Sequence, residues 1–296
     1  MPEVVRAVKR RIVPRGSAAE LAMLAAMLLV ALMSGSVALL GETLRSALIT
    51  LVWAVMVRVE AARDAGRRYQ FGVGKLEQAG KACIGLALAA AGLWVASRAF
   101  NLIVVAEGEA GPLGFALAAT ANAVHILRRG FLLWPHATFG ARKREPTQRL
   151  PPRAVALGLV PLLIVQATLT VAALAGDPSI AMAADCAGGI LVSLLMTVAG
   201  IRMLWEAVPD LIDHPLRSED EEAIAQLLFE QGIHANELVA LRSRRSGRDL
   251  FVELTLDPVE VGSFEGTCRR LARLRQSLEA RLGGLDLSIK LTPPPT

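Results

Sequence analysis

The sequence predicts a bundle of six membrane-spanning helices followed by a small α+β domain, and three observations carry that expectation. Of 296 residues, 53% are hydrophobic and only 4% aromatic, with a mean hydropathy of +0.46, well above the usual value for a water-soluble domain. Six apolar runs of roughly the 20 residues that a helix needs to cross a bilayer fill the first two thirds of the chain. After Asp213 the pattern becomes that of a soluble domain.

The six runs are expected at about Ala18 to Ser34, Ser36 to Val59, Ala79 to Val105, Leu113 to Trp134, Ala154 to Ala175 and Ile180 to Val208. Residues 1–17 form a basic segment with Arg6, Lys9, Arg10, Arg11 and Arg15; no A-x-A-like cleavage site follows, so the segment is expected to stay in the mature protein. Lys and Arg are retained on the cytoplasmic side of a membrane. Arg58, Arg63, Arg67, Arg68 and Lys75 lie between runs two and three, and Arg142, Lys143, Arg144 and Arg149 between runs four and five, whereas the opposite connections carry no Lys or Arg. A multi-pass membrane protein with both termini cytoplasmic is therefore expected, in the plasma or inner membrane if the source is bacterial.

The division expected is 1–17, a transmembrane domain over 18–210 and a cytoplasmic domain over 211–296. In the last, Ser218-Glu-Asp-Glu221 reads as a capping box opening a helix to about Gln231. Leu238 to Arg244, a Ser246-Gly247 turn and the alternating Leu250 to Leu256 read as a hairpin. A helix from Phe264 to Leu282, with Leu271, Leu274, Leu278 and Leu282 on one face, and a strand from Leu285 to Leu291 complete an α-β-β-α-β order. About 80 residues give a marginal core, for which pairing with a second copy is a common remedy.

Several classes of function are excluded by what the residues lack. The net charge of +5 is accounted for by the cytoplasmic loops, and no basic stripe with stacking aromatics points to nucleic acid. No nucleophile with its base, HExxH, P-loop or Gly-rich dinucleotide turn points to an enzyme, and no cofactor is implied. Cys83, Cys186 and Cys268 form no CxxC pair or disulfide framework.

Two segments carry a family resemblance: Gly35-Ser-Val-Ala-Leu-Leu-Gly-Glu-Thr-Leu-Arg-Ser46 and Tyr69-Gln-Phe-Gly-Val-Gly-Lys-Leu-Glu77. Together with Asp185, the Asp210-Leu-Ile-Asp213 ending and the Gly247-Arg-Asp-Leu-Phe-Val strand entry, they resemble the cation diffusion facilitator family over nearly the whole chain. The resemblance implies a ferredoxin-like C-terminal domain and a dimeric antiporter that exports a divalent metal such as Zn, Mn or Fe in exchange for protons. The partner would be a second copy or a paralogue, with membrane lipid around both. It also implies a tetrahedral metal site with ligand pairs at i and i+4 on helices two and five, a spacing that places both on one helix face.

Against that pattern the helix-two ligand positions hold Arg45 and Ile49. Arg stays protonated and Ile has no donor atom. Between Pro146 and Gly176 there is no Asp, Glu, His or Cys in any register; the second site of the family falls on Arg67, Tyr69 and Val73, and the third near Val239, Thr267 and Lys290. His125, His136, His214 and His234 are scattered, with His214 and Glu206 near the junction of helix six.

The remaining metal candidates are Glu42 and Asp185, because carboxylates inside a membrane are costly and usually functional; packing by hydrogen bonds is the alternative. Arg45 follows Gly35 by ten residues, roughly 15 Å at 1.5 Å per residue, and a charge there costs about 2.5 to 3.5 kcal/mol, so a carboxylate partner is expected, Glu42 or Asp185. By resemblance, Lys75, Glu77 and Asp213 form the dimer hinge, with Lys75 and Asp213 as an ion pair. Two readings stay open: a transporter of unusual site, or a non-transporting scaffold, regulator or heterodimer partner of the same fold.

Overall fold

A computed structural model describes residues 2–64, 73–105, 111–138, 152–234, 236–247, 249–257, 264–282 and 285–292. The element order is α1 (Pro2–Ser34), α2 (Val37–Asp64), α3 (Gly74–Val105), α4 (Pro112–Thr138), α5 (Pro152–Leu174), α6 (Pro178–Leu211), α7 (Ser218–Glu230), β1 (Leu238–Ser246), β2 (Asp249–Leu256), α8 (Phe264–Leu282) and β3 (Leu285–Leu291). Val37–Val59, Gly74–Val105 and Pro178–Leu211 are long and apolar enough to cross a membrane, and Ala18–Ser34 and Gly158–Leu174 are shorter apolar helices. α3 begins five residues before its apolar run, at Gly74, because Lys75, Glu77 and Gln78 extend the helix with polar residues. The apolar run marks hydrocarbon, not the helix.

The chain divides into two compact units, one of residues 1–51 with 84–202 and the other of residues 52–83 with 203–296. In the first, α4 packs against both α5 and α1. α2, α3 and α6 meet through fully buried Val37, Val95, Ala99 and Cys186, with Leu44, Leu102 and Met182 around them. α3 and α6 approach closely enough that a Cβ on Gly200 would lie 2.5 Å from the Gly85 carbonyl oxygen and 2.6 Å from the Ala89 nitrogen. Only a residue without a side chain fits there.

The second unit contains a three-stranded sheet of order β1-β2-β3, with β1 antiparallel to β2 and β3 parallel to β2. The parallel pair requires a crossover, which α8 supplies. Period-two alternation turns Leu250, Val252, Leu254 and Leu256 inward, against Ile224, Leu227 and Leu228 of α7 and Leu274 and Leu278 of α8. The α-β-β-α-β order expected from sequence is the order observed.

The capping box is not formed. Arg217, not Ser218, is the N-cap of α7 and makes no side-chain cap bond, while Glu221 accepts a 2.7 Å hydrogen bond from Ser243. β1 captures the carboxylate that would have reached back. At the other end Gly232 (φ 71°) ends α7, with the Ile233 N–H bonded to the Leu228 carbonyl at 3.0 Å. α6 ends in the same motif, the His214 N–H reaching the Pro209 carbonyl at 3.0 Å, but there the left-handed residue is Asp213 (φ 55°).

Candidate functional site

The helix-two segment that the resemblance singles out is buried. Glu42 is 0% exposed and Arg45 5%. Arg45 Nε donates to Glu42 Oε2 at 2.8 Å and Nη2 to Oε1 at 2.6 Å, a two-pronged pair within one helical turn, and Ser46 Oγ adds a third bond to Oε1 at 2.8 Å. The i, i+3 and i, i+4 spacing puts all three groups on one face of α2. Both carboxylate oxygens are thus engaged by the helix's own residues, and Ile49, one turn on, offers no donor atom.

Asp185 is not the partner of Arg45. Its Oδ1 accepts from Ser36 Oγ at 2.6 Å and from the Ala38 N–H at 3.2 Å, and its Oδ2 accepts from the Val37 N–H at 2.8 Å. The unpaired amides at the start of α2 and the positive end of its dipole claim this carboxylate. A residue of α6 therefore caps α2 from outside, and the side chain is 3% exposed.

A second polar group lies on α4. Asn122 donates to the Leu162 carbonyl at 3.0 Å and to Gln166 Oε1 at 3.1 Å, both on α5. His125, one turn further, is 0% exposed; among the described residues neither ring nitrogen has a hydrogen-bond partner, nor does Asn122 Oδ1. It lies within electrostatic reach of Glu42, Arg45 and Arg129. The sequence reading placed His125 among scattered histidines, because its neighbours come from another helix. Arg128, also on α4, pairs with Glu20 of α1.

In the second unit, Lys75 Nζ lies 2.8 Å from Asp213 Oδ2, and Arg244 Nη1 holds the other oxygen at 2.8 Å. The Lys75 and Arg244 hydrogen bonds keep the Asp213 carboxyl below the usual aspartate range. Arg244 also lies over the Phe251 ring, 4.7 Å from its centroid, so the cation–π contact steadies it. Sequence reasoning missed Arg244; the only signal was its place opposite Phe251 in the hairpin. Glu77, 5% exposed, pairs with Lys81 at 2.9 Å, and Gln78 donates to Asp210 at 2.9 Å. A Cβ on Gly74 would collide with the Ser246 carbonyl, so the start of α3 and the hairpin turn touch backbone to backbone.

Among the described residues no three His, Cys, Asp or Glu side chains converge to hold a metal ion. Val73 is buried, Lys290 pairs with Glu253 at 2.9 Å, and His234 packs edge-on against Phe229. Arg67 and Tyr69 and the side chains of His136 and Thr267 lie outside the described residues. Cys83, Cys186 and Cys268 are free thiols.

Long apolar helices around a buried, charged polar cluster mark an integral membrane protein. The family model for the cation efflux transmembrane domain matches residues 15–212, and the chain belongs to that family of cation transporters. No curated protein matches the chain.

Proposed function

We propose that the chain is a cation-diffusion-facilitator-type transporter in which Arg45 occupies, as a tethered cation, the place where the family binds metal. The observation that carries this reading is the two-pronged Arg45–Glu42 pair, buried and complete within α2. Divalent metal–proton antiport in the efflux direction then requires Arg45 to leave Glu42, the carboxylate an arriving ion would meet. Asp185 is the weaker metal candidate, since capping α2 uses both of its oxygens. Six transmembrane passes, cytoplasmic termini and a homodimer hinged at Lys75, Glu77 and Asp213 belong to the same proposal. Zn, Mn or Fe would be the cargo.

The second reading, a non-transporting scaffold, regulator or heterodimer partner, is favoured by the same engagement of both acids. Protein in liposomes loaded with a metal-sensitive dye, challenged with zinc, manganese, iron and cobalt across a pH gradient, separates the two. Dye response that grows when Arg45 and Ile49 are both changed to Asp, giving an i, i+4 carboxylate pair, supports the first reading. Silence of both proteins leaves the scaffold reading, and family-like transport by the wild type overturns the tethered-cation idea.

A further inference from the structure

Where α6 gives way to the soluble domain, a cavity of about 710 Å³ opens between Val52, the start of α3, the last turns of α6, the Pro215–Arg217 connection and the hairpin turn. This is within the size range of small-ligand sites, about 300–1,000 Å³. Three cations line it, Lys81, Arg217 and Arg245, along with two acids, Glu206 and Asp210. The acids are engaged within the protein: Asp210 accepts from Gln78, and Glu206 has a partner as well. The cations are not saturated. The Arg217 side chain makes no hydrogen bond or ion pair among the described residues. Arg245 touches Asp220 only at 3.4 Å, long for a charge-assisted bond. Lys81 pairs with Glu77 and, like Arg245, lies within electrostatic reach of Asp210, but it has three N–H donors to place. Two arginine forks with unused donors match the oxygens of a phosphate.

The level of the cavity fixes what can bring that phosphate. The apolar span of α6 ends at Leu211, and the soluble helix α7 starts at Ser218, so the cavity sits at the membrane–water boundary. Trp205, also on its wall, is 76% exposed and lies about 9 Å before the helix end at 1.5 Å per residue, where aromatic side chains mark the headgroup layer. Basic pockets beside membrane helices at this level suit anionic headgroups. We propose that this cavity binds the phosphate of an anionic phospholipid headgroup. The proposal rests on membrane placement and not on whether the chain moves a cation.

Binding to the folded form raises its melting temperature. The test is thermal melting of the full chain in mild detergent, followed by tryptophan fluorescence, with phosphatidylglycerol, phosphatidylcholine of the same chain length, or inorganic phosphate added. Phosphatidylglycerol should raise the midpoint by several degrees and the other two should not. The shift should be lost in Arg217→Gln/Arg245→Gln and kept in Lys290→Gln. Arg217→Gln alone, which removes no side-chain hydrogen bond or ion pair among the described residues, should lose most of it should the double variant not fold. An undiminished shift in both Arg217 variants, or an equal shift with phosphatidylcholine, overturns the site. An equal shift with inorganic phosphate overturns the lipid as its ligand.

Discussion

Arg45 and Glu42 neutralise each other out of water, and such a pair responds very differently to losing one member than to losing both. Breaking a buried pair leaves an uncompensated charge at a cost of about 3–5 kcal/mol, while apolar replacement of both is often neutral or better. Arg45→Ala should therefore melt well below wild type in detergent, and Glu42→Leu with Arg45→Met should melt near it; equal losses in the two proteins would mean that packing, not charge, matters there. Asp213 offers a contrasting case, being about two-fifths exposed and in a left-handed conformation (φ 55°). Its lowered pKa contributes stability above the ordinary aspartate value near 4, lost as pH falls through the lowered value. Exposure limits that to about 0–1 kcal/mol. Asp213→Asn should thus lose less stability than wild type on acidification below about pH 4, read as the slope of melting midpoint against pH. At this scale the Arg45–Glu42 pair was legible, because both partners stand three apart in the string. Asp185 capping α2 was not, because its partners are backbone amides with no side-chain signature.

Between α3 and α6 the decisive contact is made by absent atoms. Gly200 lies so near the backbone at Gly85 and Ala89 that Gly200→Ala must part the two helices, at a cost of about 1–3 kcal/mol for overpacking. Gly130 of α4 has open space around its Cβ position. There Gly→Ala should gain about 0.5–1 kcal/mol of helix propensity. Paired detergent melts of these two variants should move in opposite directions; a harmless Gly200→Ala would refute close packing at this crossing. Helices and strands were readable as elements because apolar periodicity reports burial directly. Their ends were less so: α3 extends past its apolar run, and the Ser218 capping box yields to the Ser243–Glu221 bond, a contact between residues far apart in sequence.

For the molecule as a whole, family membership was written in the order and spacing of motifs from Gly35 to Asp213, and the matched residues 15–212 cover all of that stretch but its last residue. The expected departure from the family's ligand pattern rests on Arg45 and Ile49, whose side chains offer a metal ion no lone pair. Metal should then leave the melting of the segment from about Arg217 to Thr296 unmoved, because a ligand stabilises only what binds it. A midpoint rise with micromolar zinc that chelator reverses would reveal a site formed by residues not brought together among the described ones. Dimerisation is the corresponding expectation for the intact protein, and mass measurement in mild detergent should give twice the chain mass; a monodisperse monomer would refute it.

The cap that α6 places on α2 also has a history in time. Glu42 and Arg45 meet within one turn, so the nascent second helix can enter the bilayer already neutral, needing nothing made later. Asp185 follows Ser36 by 149 residues, a delay of about 7–30 s at ~5–20 residues per second on the ribosome. Through that interval the first amides of α2 wait without their carboxylate, while α3, α4, α5 and the start of α6 are synthesised. Biogenesis is thus completed by the last membrane helix, and a chain cut short before Asp185 would be lodged in the bilayer yet unlatched, its second helix open to quality-control proteases at the end that α6 should have closed.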